Sequence, residues 1–170
     1  MTISGTTYSL KQKLVSLGSN FTIRDAEGRA LYEIRGEFPI LYDKLAFRDM
    51  AGNELVSIEQ KVVNWFGRYE IRRDGKLLAD VKRDFLAFFR RRRFTIDTGG
   101  TNDLEAIGDF FDLEFIVKRG DQDIARITKQ WFRLSDTWGI DIDEKEQDHV
   151  FLLAIAVVIA RARQRTHART

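Results

Sequence analysis

The chain has 170 residues, of which 44 % are hydrophobic and 32 % charged, and its formal net charge is +2. This length is typical of one domain with a sizeable core, and the single proline and the apolar fraction favour an ordered globule. The absence of cysteine excludes disulfides and cysteine-based metal sites, and the near balance of charge argues against wholesale nucleic-acid binding.

The first residues, MTISGTTYSLKQKLVSL, contain no apolar segment of the kind that a secretory signal requires. A chain without cysteine also fits a reducing compartment. These features predict a cytoplasmic protein, and peripheral attachment to a membrane surface is compatible with that location.

Short alternating runs of apolar and polar residues, separated by Asp and Gly, predict four β-hairpins. In FTIRDAEGRALYEI and LAFRDMAGNELVSI, an Asp stands three positions before a Gly, which is a type I turn preference. YEIRRDGKLLADV contains Asp-Gly at 74–75, and LEFIVKRGDQDIARI turns at 120–121. About twelve candidate strands precede residue 143, which favours a closed barrel or two packed sheets because both remove exposed edges.

The final segment, EKEQDHVFLLAIAVVIARARQR, is predicted to form a buried helix. It opens with acidic residues and closes with arginines, the polarity that a helix dipole favours. The apolar run from Val150 to Ala160 has eleven residues, whereas a transmembrane helix needs about 20. A helix that is apolar on every face must be buried on every face. We therefore expect no transmembrane span, and a barrel whose lumen this helix fills.

The order of several motifs resembles the LURP-one-related family of the Tubby C-terminal-like superfamily, to which phospholipid scramblases also belong. The motifs are FTIRDAEGRALYEIRG, DMAGNELVSIEQK, LEAIGDFFDLEFIV, IARITKQW, DTWGIDI and FLLAIAVVIA. The resemblance covers about residues 8 to 163, and Trp138 stands where a tyrosine is commoner in the family. It implies a mainly β fold, a closed antiparallel barrel of twelve strands around a central hydrophobic C-terminal α-helix.

The resemblance implies a single domain over 1–170, with its core at 8–163 and a basic tail at 164–170.

The resemblance indicates the function less specifically than the fold. Tubby domains bind phosphoinositides and scramblases are linked to lipid movement, but fold does not imply function. No tubby phosphoinositide motif is matched residue by residue, so no binding residue is carried over.

The stretch KRDFLAFFRRRRFTI, residues 82–96, is the candidate site for anionic lipid headgroups. Guanidinium groups pair bidentately with phosphates, and aromatic side chains enter the headgroup interface. The candidate residues are Lys82, Arg83, Arg90, Arg91, Arg92 and Arg93. In a strand, alternate arginines face opposite sides, so one pair could instead meet carboxylates of neighbouring strands while the phenylalanines fill the barrel. Single-stranded nucleic acid is less favoured, since such proteins carry a broad basic footprint.

Acidic residues elsewhere are predicted to be structural. DTWGIDIDEKEQD, residues 136–148, could supply oxygen ligands to calcium, but its spacing is not that of an EF-hand loop. The alternation in GIDID instead predicts a strand with Ile140 and Ile142 inward. The acids of GDFFDLEF are predicted to flank a turn rather than to form a glycosidase pair. His149 and His167 belong to no catalytic motif, and we expect no metal and no cofactor.

These features favour a non-catalytic barrel. The first candidate function is a peripheral module that binds anionic phospholipid or phosphoinositide headgroups. The second is a scaffold whose barrel surface or basic tail, RARQRTHART, binds a protein partner. An enzyme is least favoured, because a helix in the lumen occupies the space in which β-barrels usually hold a ligand.

Overall fold

Twelve antiparallel strands and one helix make up the computed structural model, which describes residues 3–15, 18–37, 44–61, 67–84, 91–109, 114–129 and 137–167. The strands are β1 (Gly5–Val15), β2 (Gly18–Arg24), β3 (Ala30–Glu37), β4 (Lys44–Asp49), β5 (Glu54–Lys61), β6 (Arg68–Arg73), β7 (Lys76–Asp84), β8 (Arg91–Asp97), β9 (Leu104–Asp109), β10 (Glu114–Arg119), β11 (Gln122–Lys129) and β12 (Thr137–Asp143). The helix α1 is His149–His167. Each strand pairs with the next in sequence, and β1 pairs with β12. The predicted closed barrel is therefore confirmed.

The predicted hairpin turns form where Asp and Gly stand in the sequence. In the β2–β3 turn, the Gly28 amide donates to the Asp25 carbonyl at 3.1 Å, and the Arg29 amide donates to the Asp25 carboxylate at 2.8 Å. The β4–β5 turn repeats both bonds between Asp49 and its partners. Asp74 and Gly75 have φ of 49° and 75°, as a two-residue turn of the primed type requires.

Alternation along the strands places one side-chain row in the barrel lumen. In β12 the buried residues are Trp138, Ile140 and Ile142, each at most 4 % exposed, while the two aspartates between and after them face outward. Close packing also constrains small residues: a Cβ at Gly108 would lie 2.3 Å from the ring of Phe115. The lumen is therefore filled to contact distance rather than left open.

The helix α1 occupies the lumen, as predicted. Residues 152–160 are each at most 2 % exposed, although they cover every face of the helix. The Asp148 carboxylate accepts a hydrogen bond from the Phe151 amide at 3.1 Å, so this residue caps the helix N-terminus. Nineteen residues at about 1.5 Å rise give a length of about 28 Å. Within the described residues, no helix combines the length and apolar character that crossing a bilayer requires.

The course of α1 distinguishes two ends of the barrel, the helix-start end and the helix-finish end. At the helix-start end lie the turns 25–29, 50–53, 74–75, 98–103 and 120–121, and the segment 144–148 that leads into α1. At the helix-finish end, β1, β3, β5, β7, β9 and β11 end and α1 leaves the lumen. The segments that connect the strands at this second end fall outside the described residues.

Candidate functional site

The predicted headgroup residues divide between the outer wall and the lumen of the barrel. Lys82 and Arg93 lie on the outer wall at the helix-finish end. The Lys82 ammonium is 3.4 Å from the Asp80 carboxylate, and Arg93 pairs with Glu105 and lies 3.9 Å from Asp84. Their side chains are 48 % and 52 % exposed, so these ion pairs are open to solvent. Arg93 therefore has carboxylate partners on both neighbouring strands, as the structural alternative predicted, whereas the partner of Lys82 belongs to its own strand.

Arg83 faces the lumen, whereas Lys82 faces outward. Arg83 follows Val81 by two residues, so both side chains lie in the lumen-facing row of β7. Val81 is fully buried, and β8 places Phe94, which belongs to the core, directly opposite Arg83. Burial lowers the pKa of the Arg83 guanidinium, and the nearby phenol of Tyr69 opposes that shift. Arg83 is thus a partly desolvated cation at the mouth of the lumen.

The other three arginines of the predicted site are described less fully. Arg90 lies outside the described residues. Arg91 and Arg92 begin β8, and their backbones pair with Asp109 and Gly108 of β9. Only the backbone of these two residues is described, so the prediction that they bind headgroups stays a prediction.

A second group of cations lies at the same mouth, around Trp138. The Lys129 ammonium is 5.9 Å and the Arg163 guanidinium 5.7 Å from the centroid of the Trp138 ring, so both make cation–π contacts. Trp138 is only 4 % exposed. Burial lowers the pKa of Arg163. Two cations, one from β11 and one from α1, therefore contact one buried indole ring of β12.

Sequence reasoning missed this second group. Lys129 and Arg163 are 34 positions apart, and no spacing in the sequence indicates that they share an aromatic partner. The contact between Lys129 and Trp138 is visible in the strand register, because these two residues are directly opposite each other on β11 and β12. That register belongs to the pairing of β11 with β12, which a linear pattern does not express.

We define the basic mouth as Arg83, Lys129, Arg161 and Arg163. Among the side chains that the structure describes, the lumen-facing strand positions near this end carry no carboxylate, since the acids of β5, β7 and β10 occupy the outward rows. Arg161 and Arg163 are separated by about 200° around the helix, so they face opposite sides of the lumen. Cationic side chains of the described residues therefore lie on more than one side of α1 where it leaves the barrel.

The helix-start end contains a cleft of about 600 Å³, several of whose polar groups bond to one another. The Tyr8 hydroxyl is 2.7 Å from His149 Nδ1, and His149 Nε2 donates to the Glu146 carbonyl at 2.9 Å. Arg73 binds Asp148 through two bonds of 2.8 and 2.9 Å. This network fixes the start of α1.

Carboxylates of the acidic segment 136–148 are likewise hydrogen-bonded to other side chains of the barrel. Glu146 receives two hydrogen bonds from Arg119, at 2.7 and 2.9 Å, and the Asp141 carboxylate accepts one from the Thr7 hydroxyl at 2.7 Å. Arg119 begins an Arg-Gly-Asp tripeptide, and its pairing with Glu146 gives that arginine a structural role. Within the described part of the chain, no group of three His, Cys, Asp or Glu side chains converges on a common point.

Comparisons with known proteins agree with this architecture. The family model described as LURP-one-related matches residues 6–160. A curated relative, Uncharacterized protein YxjI of Bacillus subtilis (strain 168), is 33 % identical over 150 residues, covering 88 % of this chain and 89 % of that protein. An X-ray structure of an Arabidopsis thaliana protein is similar with a TM-score of 0.64 and 18 % identity, covering 95 % of this chain and 94 % of the other. The last likeness shows the fold alone.

Proposed function

The chain belongs to the LURP-one-related family, and from that premise we propose that it is a non-catalytic, cytoplasmic barrel that binds anionic phospholipid peripherally. The binding end is the helix-finish end, and the ligands are phospholipid or phosphoinositide headgroups. The observation that carries the proposal is the unequal distribution of charge between the two ends of the barrel.

The connections at the helix-start end are strongly acidic. Their acidic residues are Asp25, Glu27, Asp74, Asp103, Asp121, Glu144, Glu146 and Asp148, and their basic residues are Arg29 and Lys145. The helix-finish end presents the basic mouth instead. A negatively charged leaflet therefore attracts one end and repels the other, with about 1 kcal/mol for each basic residue near its surface.

The sequence of the connecting segments at the helix-finish end supports the same orientation. Eight of the thirteen phenylalanines belong to these segments, namely Phe38, Phe66, Phe85, Phe88, Phe89, Phe110, Phe111 and Phe132. Trp65 and Trp131 belong to them as well. Aromatic side chains next to basic residues are typical of segments that enter a headgroup interface. All ten of these aromatic residues lie outside the described part of the chain.

The filled lumen supports a non-catalytic role. Residues 152–160 of α1 take up the interior that other β-barrels use for a ligand. The titratable groups of the helix-start cleft, such as His149 and Asp148, are engaged in the bonds that hold α1. The Tyr8 hydroxyl that contacts His149 belongs to the same network, which fixes the start of α1.

Liposome co-sedimentation at low and physiological salt tests the proposal. We expect binding to anionic and phosphoinositide-bearing vesicles, weaker at higher salt because surface charges are screened, and no binding to neutral vesicles. Replacing Arg90 to Arg93 by Gln is expected to weaken binding at least about tenfold, since four charges are removed from the membrane-facing end.

The matched control replaces Arg24, Arg29, Lys76 and Lys145 by Gln, which removes the same charge from the helix-start end. This control is expected to bind anionic vesicles as the wild type does. Circular dichroism checks that both variants keep the strand spectrum. An absence of binding at either salt would contradict the proposal, and so would equal losses in the two variants, because net charge alone would then explain the attraction.

A protein-binding scaffold is the second candidate function. It is favoured by the ion pairs of Lys82 and Arg93, whose partners Asp80, Asp84 and Glu105 belong to the barrel wall. Cations that are already paired with carboxylates of the wall contribute less to the attraction of the barrel to an anionic lipid surface. If vesicles of every composition fail to bind, the scaffold becomes the better explanation of the family's barrel.

A further inference from the structure

We propose that the cleft at the helix-start end binds an aliphatic diamine in its doubly charged form. The cleft has a volume of about 600 Å³, which lies within the range of small-molecule sites. It is lined by the start of α1, by β1, β3 and β5, and by the β6–β7 turn, at the end of the barrel opposite to the basic mouth. The proposal therefore concerns a second ligand and does not depend on lipid binding.

Two phenols line the cleft. Tyr8 is buried and its hydroxyl contacts His149, whereas within the described residues the Tyr32 hydroxyl has no hydrogen-bond partner. Burial and the neighbouring Tyr32 phenol raise the pKa of Tyr8, and burial and the Asp49 carboxylate raise the pKa of Tyr32. Both phenols therefore stay protonated near neutral pH. The Tyr32 oxygen can accept a hydrogen bond from an ammonium group, and its ring offers apolar surface to a methylene chain.

The charges that line the cleft favour a dication. The carboxylates of Glu54, Asp74 and Asp148 stand against the single guanidinium of Arg73, so these three acids and one base give the lining a net charge of −2 when His149 is neutral. Arg73 donates two bonds to Asp148, of 2.8 and 2.9 Å, which leaves Glu54 and Asp74 as the carboxylates outside that pair. The lining therefore repels an anion and is balanced by two positive charges.

The carboxylates of Glu54 and Asp74 are accessible to a ligand. Asp74 is exposed, and within the described part of the chain its carboxylate accepts no hydrogen bond. The Arg48 guanidinium lies 3.9 Å from the Glu54 carboxylate, which is beyond hydrogen-bond distance. The start of β5 lies beside the end of β6, because the two strands are antiparallel neighbours. The two acids therefore belong to adjacent parts of one barrel rim.

The apolar part of the lining favours an organic dication over a metal ion. Leu55 and Val150 line the cleft and pack against the core. Methylene groups bury apolar surface against such side chains, and an ammonium group near a tyrosine ring gains a cation–π contact. Calcium requires several oxygen ligands around one point, and among the described residues no group of three acidic or histidine side chains is arranged in that way.

Fluorine NMR of protein labelled with 3-fluorotyrosine tests the proposal. The chain has four tyrosines, and Tyr32→Phe identifies the signal that reports on the cleft. The ligand is 1,4-diaminobutane, and the controls at equal ionic strength are 1-aminobutane, 1,4-butanediol and calcium chloride. We expect the Tyr32 signal to shift saturably with the diamine and not with the diol or with calcium. The monoamine is expected to bind at least about fivefold more weakly, because it forms one ion pair fewer.

Two substitutions then locate the site. Asp74→Asn and Glu54→Gln are each expected to weaken diamine binding about fivefold, since each removes one exposed ion pair with the ligand. Asn also tolerates the backbone at residue 74, whose φ is 49°. The matched control, Asp121→Asn, removes the same charge from another turn of the helix-start end that does not line the cleft, and it is expected to bind as the wild type does. Chemical denaturation identifies any variant that has lost stability, and the other cleft variant then serves.

The outcomes are distinct. A Tyr32 signal that does not respond to the diamine overturns the proposal, and so does an equal response to the monoamine or to calcium, because the second ammonium group or the carbon chain would then be irrelevant. An equal loss of affinity in Asp121→Asn also overturns it, since net charge alone would explain the attraction. A saturable response that both cleft variants weaken and the control keeps supports it. The samples contain no lipid, so these outcomes are independent of vesicle binding.

Discussion

Asp148 shows how a single side chain can hold the start of the central helix. Its carboxylate accepts the Phe151 amide and two bonds from Arg73. Partial burial tends to raise the pKa of Asp148, but the bonds from Arg73 and Phe151 outweigh that effect and lower it. The ionised form therefore stabilises the folded state.

Two substitutions of Asp148 separate the cap from the ion pair. Asp148→Ala removes both and is expected to lower the free energy of unfolding by about 1 kcal/mol. Asp148→Asn keeps a capping oxygen and loses only the exposed ion pair, so the expected loss is smaller. Urea denaturation at pH 7 measures both. An equal loss in the two variants would show that the cap contributes nothing.

The same carboxylate predicts a pH dependence. Because its folded pKa lies below the unfolded value of about 3.9, its contribution is fully present above that pH and is lost as the pH falls through the folded pKa. The stability difference between wild type and Asp148→Asn is therefore expected to shrink below about pH 4. Denaturation curves between pH 3 and about pH 7 measure the difference; a constant difference would contradict the assignment.

At the scale of elements, the apolar run in the sequence predicts where α1 lies, whereas packing inside the barrel stabilises it. A sequence rich in Val and Ile is a mediocre helix former, so isolated helicity is weak. Inside the lumen, residues 152–160 are removed from water on every side. Each fully buried Val, Leu or Ile side chain contributes about 1.5–3 kcal/mol, so burial in the lumen supplies the stability that helix propensity does not.

A charge in the middle of α1 is expected to unfold the domain. Ala156 is fully buried, so Ala156→Asp places a carboxylate among aliphatic side chains, where no described cation can reach it. The cost of several kcal/mol is comparable with the whole stability of a domain. Circular dichroism and denaturation measure the loss. Ala51→Asp, in the exposed β4–β5 turn, is the matched control and should fold normally; a stable Ala156→Asp protein would reject the buried helix.

At the scale of the whole molecule, the barrel has two chemically different ends. The turns at the helix-start end are short because Asp and Gly stand where two-residue and type I turns need them. They bring the acidic residues together there. Helix α1 then carries its arginines to the other end, where they also complement the negative end of the helix dipole. An oriented approach to an anionic surface follows from this polarity.

The absence of cysteine makes that orientation directly measurable. Single substitutions Lys82→Cys and Ala51→Cys place an environment-sensitive fluorophore at the helix-finish and helix-start ends. With anionic vesicles, the emission of the label at 82 is expected to shift to the blue, because lipid replaces water around it, while the label at 51 keeps its emission. A shift at residue 51 alone would reverse the proposed orientation.

The sequence by itself determined the turns, the alternation and the buried helix. These depend on neighbouring residues: Asp and Gly set the backbone angles of a turn, period two sets a strand's faces, and eleven apolar residues in succession require burial. The Arg-rich stretch could be recognised as unusual in the same way. Its division between the outer wall, at Lys82 and Arg93, and the lumen, at Arg83, depended only on strand parity once the bounds of β7 and β8 were fixed.

Only the tertiary structure decided which distant residues meet. Lys129, Trp138 and Arg163 come together because β11 pairs with β12 and because α1 leaves the barrel beside them. Likewise, Tyr8 reaches His149 across 141 positions because β1 closes the barrel at the place where α1 begins. Such contacts follow from register and closure, which are properties of all twelve strands together. For that reason local patterns identified the architecture, while the convergence of Lys129 and Arg163 on Trp138 appeared only in the folded barrel.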